Sequence, residues 1–130
     1  MKKRQFKKQL KATKAKYDLW EKEYASASEE MSNSEDIYTC QAWSEACGYI
    51  SGNINSALVC GGIKLMKQQL RLISKTLKNL ETSYMDNTEE MEEDDYFLML
   101  GWSEATGFAH KDINRFLTKK IQKKLTSKVV

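Results

Sequence analysis

The chain has 130 residues, a formal net charge of +3 and no proline, which suffices for one domain that buries a core without staples. Average usage would supply roughly six or seven prolines. Their absence points to long helices, because proline is excluded from helix interiors and collects in turns and at sheet edges. No run of about 18 apolar residues is present, which excludes a spanning helix. The basic start "MKKRQFKKQLKATKAK" is not followed by an apolar segment, so no secretory leader is expected and the protein is read as cytoplasmic.

A first helix is expected over about 3–28. Phe6, Leu10, Thr13, Tyr17, Trp20, Tyr24, Ala27 and Met31 alternate steps of four and three, which marks one stripe of a helix in a bundle or coiled coil. "SNSED" at 32–36 then offers Asn33 or Ser34 as an N-cap with acids in the first turn. A second helix follows over about 35–60, with the core stripe Cys40, Trp43, Cys47, Ile50, Ile54 and Ala57. Cys40 and Cys47 stand two turns apart, about 10 Å, too far for a disulfide, so buried reduced thiols are expected. Gly61-Gly62 is expected to end this helix and turn the chain.

The third helix, about 63–85, repeats the first. Met66, Leu70, Ile73, Leu77, Leu80, Tyr84, Asn87 and Met91 stand sixty residues after the earlier series, and "TEEM" at 88–91 matches "SEEM" at 28–31. The fourth helix, about 93–126, repeats the second. "WSEATGFAHKDIN" at 102–114 shares seven of thirteen positions with "WSEACGYISGNIN" at 43–55, now at an offset of fifty-nine. Its core stripe is Met99, Trp102, Thr106, Ala109, Ile113 and Phe116. The expected fold is therefore all-α, a single domain over 1–130. It is an antiparallel four-helix bundle made of two tandemly duplicated long helical hairpins, with repeats at about 3–60 and 63–126. The competing arrangement is a pair of hairpins that open out and complete each other in a homodimer.

A second stripe runs along helices two and four. Tyr38, Ala42, Glu45 and Tyr49 are matched by Phe97, Gly101, Glu104 and Phe108, and "YFLMLGW" at 96–102 is apolar nearly all round, the pattern of a helix buried all round. Helix four, a second copy or a partner protein must cover this side, and the small residues Ala42 and Gly101 would permit close approach. Glu45 and Glu104 are the sharpest residues of the stripe, because a carboxylate buried there needs a partner. Tyr38, Glu45, Tyr49, Phe97, Glu104 and Phe108 are accordingly the candidate partner-binding residues.

Charge is sorted by position. Residues 1–16 hold eight Lys/Arg and no acid, residues 63–80 five and no acid, and residues 111–128 seven against Asp112 alone. Acids gather around 29–36 and 86–95. Antiparallel hairpins would place these sets at opposite ends, giving a basic pole built from Lys2, Lys3, Arg4, Lys7, Lys8, Lys64, Lys67, Lys119, Lys120, Lys123 and Lys124. Cations at helix starts oppose the macrodipole, so helix electrostatics does not account for the pole.

One histidine supports neither a zinc site nor a nucleophile–histidine pair, "CGGIK" at 60–64 is not a phosphate loop, and Glu-x-x-His is absent. No catalytic, cofactor-binding or metal-ligating residue is assigned, and no enzyme or cofactor is expected. The expected function is a non-enzymatic binding or regulatory protein that engages a protein partner, or its own second copy, through a helical face or a charged pole. An inhibitor carried by a phage or mobile element would have this composition. The alternative is a nucleic-acid-associated protein whose basic pole contacts phosphates.

Overall fold

In a computed structural model the chain is all-α, with four helices and no strand among the described residues, which are 2–86 and 91–129 with side chains to residue 118. The helices are α1 (Lys3–Glu30), α2 (Ser34–Leu58), α3 (Ile63–Asp86) and α4 (Glu93–Val129), each ending within a turn of the position expected from sequence. None of the described helices is long and apolar enough to cross a membrane. The helices pack as a bundle. α1 lies on α2, α3 lies on α4, and α2 and α4 pack on each other, whereas α1 and α3 barely meet.

Local chemistry accounts for the helix ends. Asn33 caps α2: its side-chain oxygen accepts from the Asp36 N–H at 2.8 Å, and its amide donates back to the Asp36 carboxylate at 2.8 Å. α1 begins at Lys2 with no side-chain cap and no acid in its first turn. Gly61-Gly62 does not act through a left-handed residue, since no described glycine has positive φ. Val59 closes α2 in a right-handed conformation, its N–H donating to Asn55 O at 3.2 Å. The Gly62 carbonyl accepts the first bond of α3, from Met66 N–H at 2.9 Å.

Contacts between α1 and α2 step down one helix as they step up the other. Lys3 Nζ donates to Gly61 O at 3.3 Å, Ser51 Oγ donates to Asp18, Ser44 Oγ donates to Glu21 O at 2.7 Å, and Cys40 Sγ lies 3.5 Å from Met31 Sδ. The core fills from the end where α1 and α3 begin. Phe6, Leu10, Tyr17, Ile50, Ile54, Met66, Leu70, Leu77 and Ile113 are all buried there or toward mid-bundle, each large apolar side chain contributing about 1.5–3 kcal/mol. Toward the other end the same stripes emerge: Cys40, Phe97 and Met99 are half-buried and Met31 is exposed. Trp20, Trp43 and Trp102 are partly buried against the core.

All three cysteines are free thiols. Cys47 is buried, and burial, followed by the nearby Glu21 carboxylate, pushes its thiol up to about 12. Because the thiolate is the reactive species, Cys47 should resist an aromatic disulfide reagent at neutral pH in the native chain while the half-buried Cys60 reacts. Equal rates for Cys47 in native and urea-unfolded protein would contradict this packing.

Candidate functional site

The WSEA segments lie where α2 and α4 meet, and their tryptophans, serines and alanines make matched contacts. The alanines and the preceding small residues form the contact ridge. Ala42, Ala46 and Ile50 on α2 and Gly101, Ala105 and Ala109 on α4 are buried, each set spaced by four, the spacing of a helix-surface ridge. Ala42 and Gly101 meet directly. A Cβ added to Gly101 would lie 2.6 Å from the Ala42 Cβ and 2.8 Å from the Thr39 carbonyl oxygen.

Trp43 and Trp102 each touch aromatics of two other helices. Trp43 stacks on Tyr24 at 5.2 Å and reaches Phe108 at 6.5 Å, while Trp102 packs on Tyr84 at 5.8 Å and on Tyr49 at 5.9 Å. The serines tie the outer helices to the inner pair, Ser44 donating to Glu21 O at 2.7 Å and Ser103 to Glu81 O at 3.1 Å. Gly48 and Gly107 leave room for the carboxylates of Glu21 and Glu81, which occupy the space a Cβ would take.

The second stripe is thus only partly an internal contact. Its small residues are buried by α2 against α4, whereas Tyr38 and Phe97 are half-buried and Glu45, Tyr49, Glu104 and Phe108 are exposed. The contact follows the steps of four, so a stripe alternating steps of four and three leaves it at each glutamate. The expected burial of Glu45 and Glu104 is therefore corrected: both carboxylates are solvated. Glu104 accepts from the Trp43 indole at 3.1 Å. No group of histidine, cysteine and acid side chains among the described residues could hold a metal.

One cluster was not legible in the sequence. Asp112 accepts from Tyr17 Oη at 2.9 Å, pairs with Lys16, and lies 3.6 Å from Arg115. Lys16 Nζ also stands over the rings of Tyr17, Trp20 and Phe108 at 5.0–5.5 Å. Burial first, and then the Asp112 charge, pushes the Tyr17 phenol far up, so it stays a donor. The available signal was that Asp112 is the lone acid in a basic run.

The poles are uncompensated. Lys2, Lys3, Arg4, Lys8 and Lys64 are exposed and Lys7 and Lys67 half-buried, and none forms an ion pair with a described residue. Lys3 meeting Gly61, Lys67 Nζ over Phe6 at 5.6 Å, and Phe6 against Phe116 at 4.9 Å bring the starts of α1 and α3 to one end. The side chains of Lys119, Lys120, Lys123 and Lys124 lie outside those described. At the other end Glu29, Glu30, Glu35, Asp36, Asp86 and Glu92–Asp95 are exposed and pair with no described cation.

Between α3 and α4 at this acidic end lies an open cavity of about 460 Å³, lined by Glu81, Thr82, Met85, Asp86, Leu100, Ser103 and Glu104. Beneath it Glu81 Oε1 faces the buried His110 Nε2 at 3.4 Å. Comparison of the chain with protein-family models, curated proteins and solved structures gives no match.

Two glycine substitutions test the crossing. Gly101→Ala should destabilise the chain by about 1–2 kcal/mol, because overpacking against fixed backbone outweighs a helix-propensity gain of about 1 kcal/mol. Gly52→Ala, with open space at its Cβ, should instead stabilise by about 0.5–1 kcal/mol. Urea unfolding of both variants reads the two signs; a stabilising Gly101→Ala would mean that the helices do not touch there.

Proposed function

We propose that the chain is a tandem duplication of one antiparallel helical hairpin and serves as a non-enzymatic binding protein, engaging a protein partner through the acidic-pole half of α4 and the adjoining stripe. The observation that carries this function is the state of Phe97, Leu98, Met99 and Leu100. These four consecutive apolar residues, which face all sides of α4, are half-buried without exception. Tyr38 on α2 is half-buried, and Tyr96 and Met85 are exposed close by in the chain. An apolar surface of this kind with a charged rim is the make-up of a protein interface. Support for the duplication is the set of matched contacts at offsets of sixty and fifty-nine: Ser44 and Ser103, Trp43 and Trp102, Gly48 and Gly107. A regulator or inhibitor acting in the cytoplasm would need no more machinery than this.

The basic pole favours a second function, phosphate contact with nucleic acid. Its cations crowd helix starts that repel them, and the described ones pair with no described acid. Such contact would be sequence-tolerant and steeply salt-dependent.

The two functions separate by variant. A cross-linked partner, identified by mass spectrometry, should be lost with Tyr38→Ala plus Phe97→Ala and retained with Lys7→Glu plus Lys8→Glu. Retention of a labelled mixed-sequence DNA duplex should show the reverse. Failure of the native chain to cross-link any protein would remove the first function, and no DNA retention even at low salt would remove the second.

A further inference from the structure

The cavity between α3 and α4 has a counterpart position in the first hairpin, and the residues there differ in a telling way. At offsets of sixty and fifty-nine, Glu81, Ser103 and Glu104 correspond to Glu21, Ser44 and Glu45, so the residues that join the helices are the same. The others change character. Thr82 corresponds to Lys22, Met85 to Ala25, Asp86 to Ser26 and Leu100 to Gln41, and all four of these counterparts are exposed. The same helix–helix join therefore forms with small or polar residues at these places. A half-buried Leu100 beside the cavity is not required by the join, since the exposed Gln41 stands in the matching place, and an apolar surface left partly in water is a cost without folding return.

The lining also specifies what would fit. Leu100 and Met85 line it with apolar surface, and three acids line it too: Asp86 is exposed, Glu81 faces His110 and Glu104 accepts from the Trp43 indole, so the surroundings carry net negative charge. An amphipathic cation matches this lining: its aliphatic stem covers the apolar wall while its head meets the carboxylates. The surrounding field points the same way, with Glu92–Asp95 exposed at the start of α4 and unpaired with any described cation. The described cations of the chain's own basic pole lie at the opposite end.

We infer that this cavity seats a lysine or arginine side chain on a basic amphipathic segment of a partner protein, which lies along the apolar start of α4. The inference rests on the protein-binding function proposed above and adds the partner's chemistry and the point of attachment. Because α4 is acidic at its first turn and apolar immediately after, the segment would present cations to the rim and an apolar stripe to Phe97 and Leu100.

The test is fluorescence anisotropy of a labelled Lys/Arg–Leu amphipathic peptide titrated with the full chain at low and near-physiological salt. A peptide of the same composition with its amphipathic order scrambled is the control. The triple variant Met85→Ala, Asp86→Ser and Leu100→Gln installs the first hairpin's residues, and Asp86→Lys alone reverses one exposed charge without touching the core. Saturable binding of the ordered peptide, weakened roughly tenfold or more by either variant at unchanged far-UV circular dichroism, is expected. Equal binding by native chain and variants overturns the inference, as does equal binding of the scrambled peptide, which would reduce the contact to unspecific charge attraction. Sedimentation showing that the native chain self-associates, and that the triple variant does not, also overturns it by making a second copy the occupant. A cross-linked partner whose capture survives the triple variant removes this inference and leaves the protein-binding function standing, whereas a native chain that captures nothing removes both.

Discussion

The structure depends on how closely α2 and α4 approach. Ala42 against Gly101, with Ala46, Ala105 and Ala109 continuing the ridges, lets two backbones come within reach of each other, and everything outside is placed by that contact. Two helices this close leave no room between them for Trp43 and Trp102, which are displaced to the flanks. There Trp43 reaches Phe108 of α4 and Trp102 packs on Tyr49 of α2, so the small residues of the crossing and the large ones beside it are parts of one arrangement. Dispersion and area burial act together here, because close packing rather than area alone sets the strength of such a contact.

Polar groups then fix what apolar packing leaves free. A bundle of amphipathic helices can slide or rotate at small cost, since one apolar surface resembles the next. Ser44 and Ser103 each donate to a carbonyl of the outer helix, which sets the register of α1 on α2 and of α3 on α4. The Glu21 and Glu81 carboxylates lie over Gly48 and Gly107, in the space a Cβ would take. The Asp112 cluster holds α1 to α4 across the bundle, with the Tyr17 hydroxyl and the Lys16 ammonium on one carboxylate. Such hydrogen bonds contribute about 1 kcal/mol each, less than the buried side chains, but they discriminate between arrangements that burial treats alike.

Core and charge run along the same axis. Burial is most complete toward the end where α1 and α3 begin and thins toward the acidic end, where Phe97 to Leu100 are half covered. At the matching places on α1 and α2 the chain carries Ser26 and Gln41, small or polar residues that are exposed. The half-covered apolar start of α4, and carboxylates that pair with no described cation, mark the place where the proposed attachment lies. The opposite pole carries the mirror excess of cations, and the molecule is left with a strong field along its length, a property that steers association.

Sequence by itself determined the helices and much of their inner faces. Absence of proline and the alternation of threes and fours are local properties, and Phe6, Leu10, Tyr17, Met66, Leu70 and Leu77 on the first stripes are indeed buried. The internal repeat and the sorting of charge are likewise written along the chain. Tertiary structure decided which residues of α2 and α4 meet. A stripe that follows the helix axis and a ridge that steps by four share Ala42 and Gly101 but part at the next residue, so Glu45 and Glu104 look buried in one dimension and are solvated in three. It also decided the partners of Asp112, Lys16 and Tyr17, which stand some ninety-five residues apart, and the cavity between α3 and α4. Periodicity reports which side of a helix is apolar. Only the packing of backbones reports where that side is covered and where it is left open.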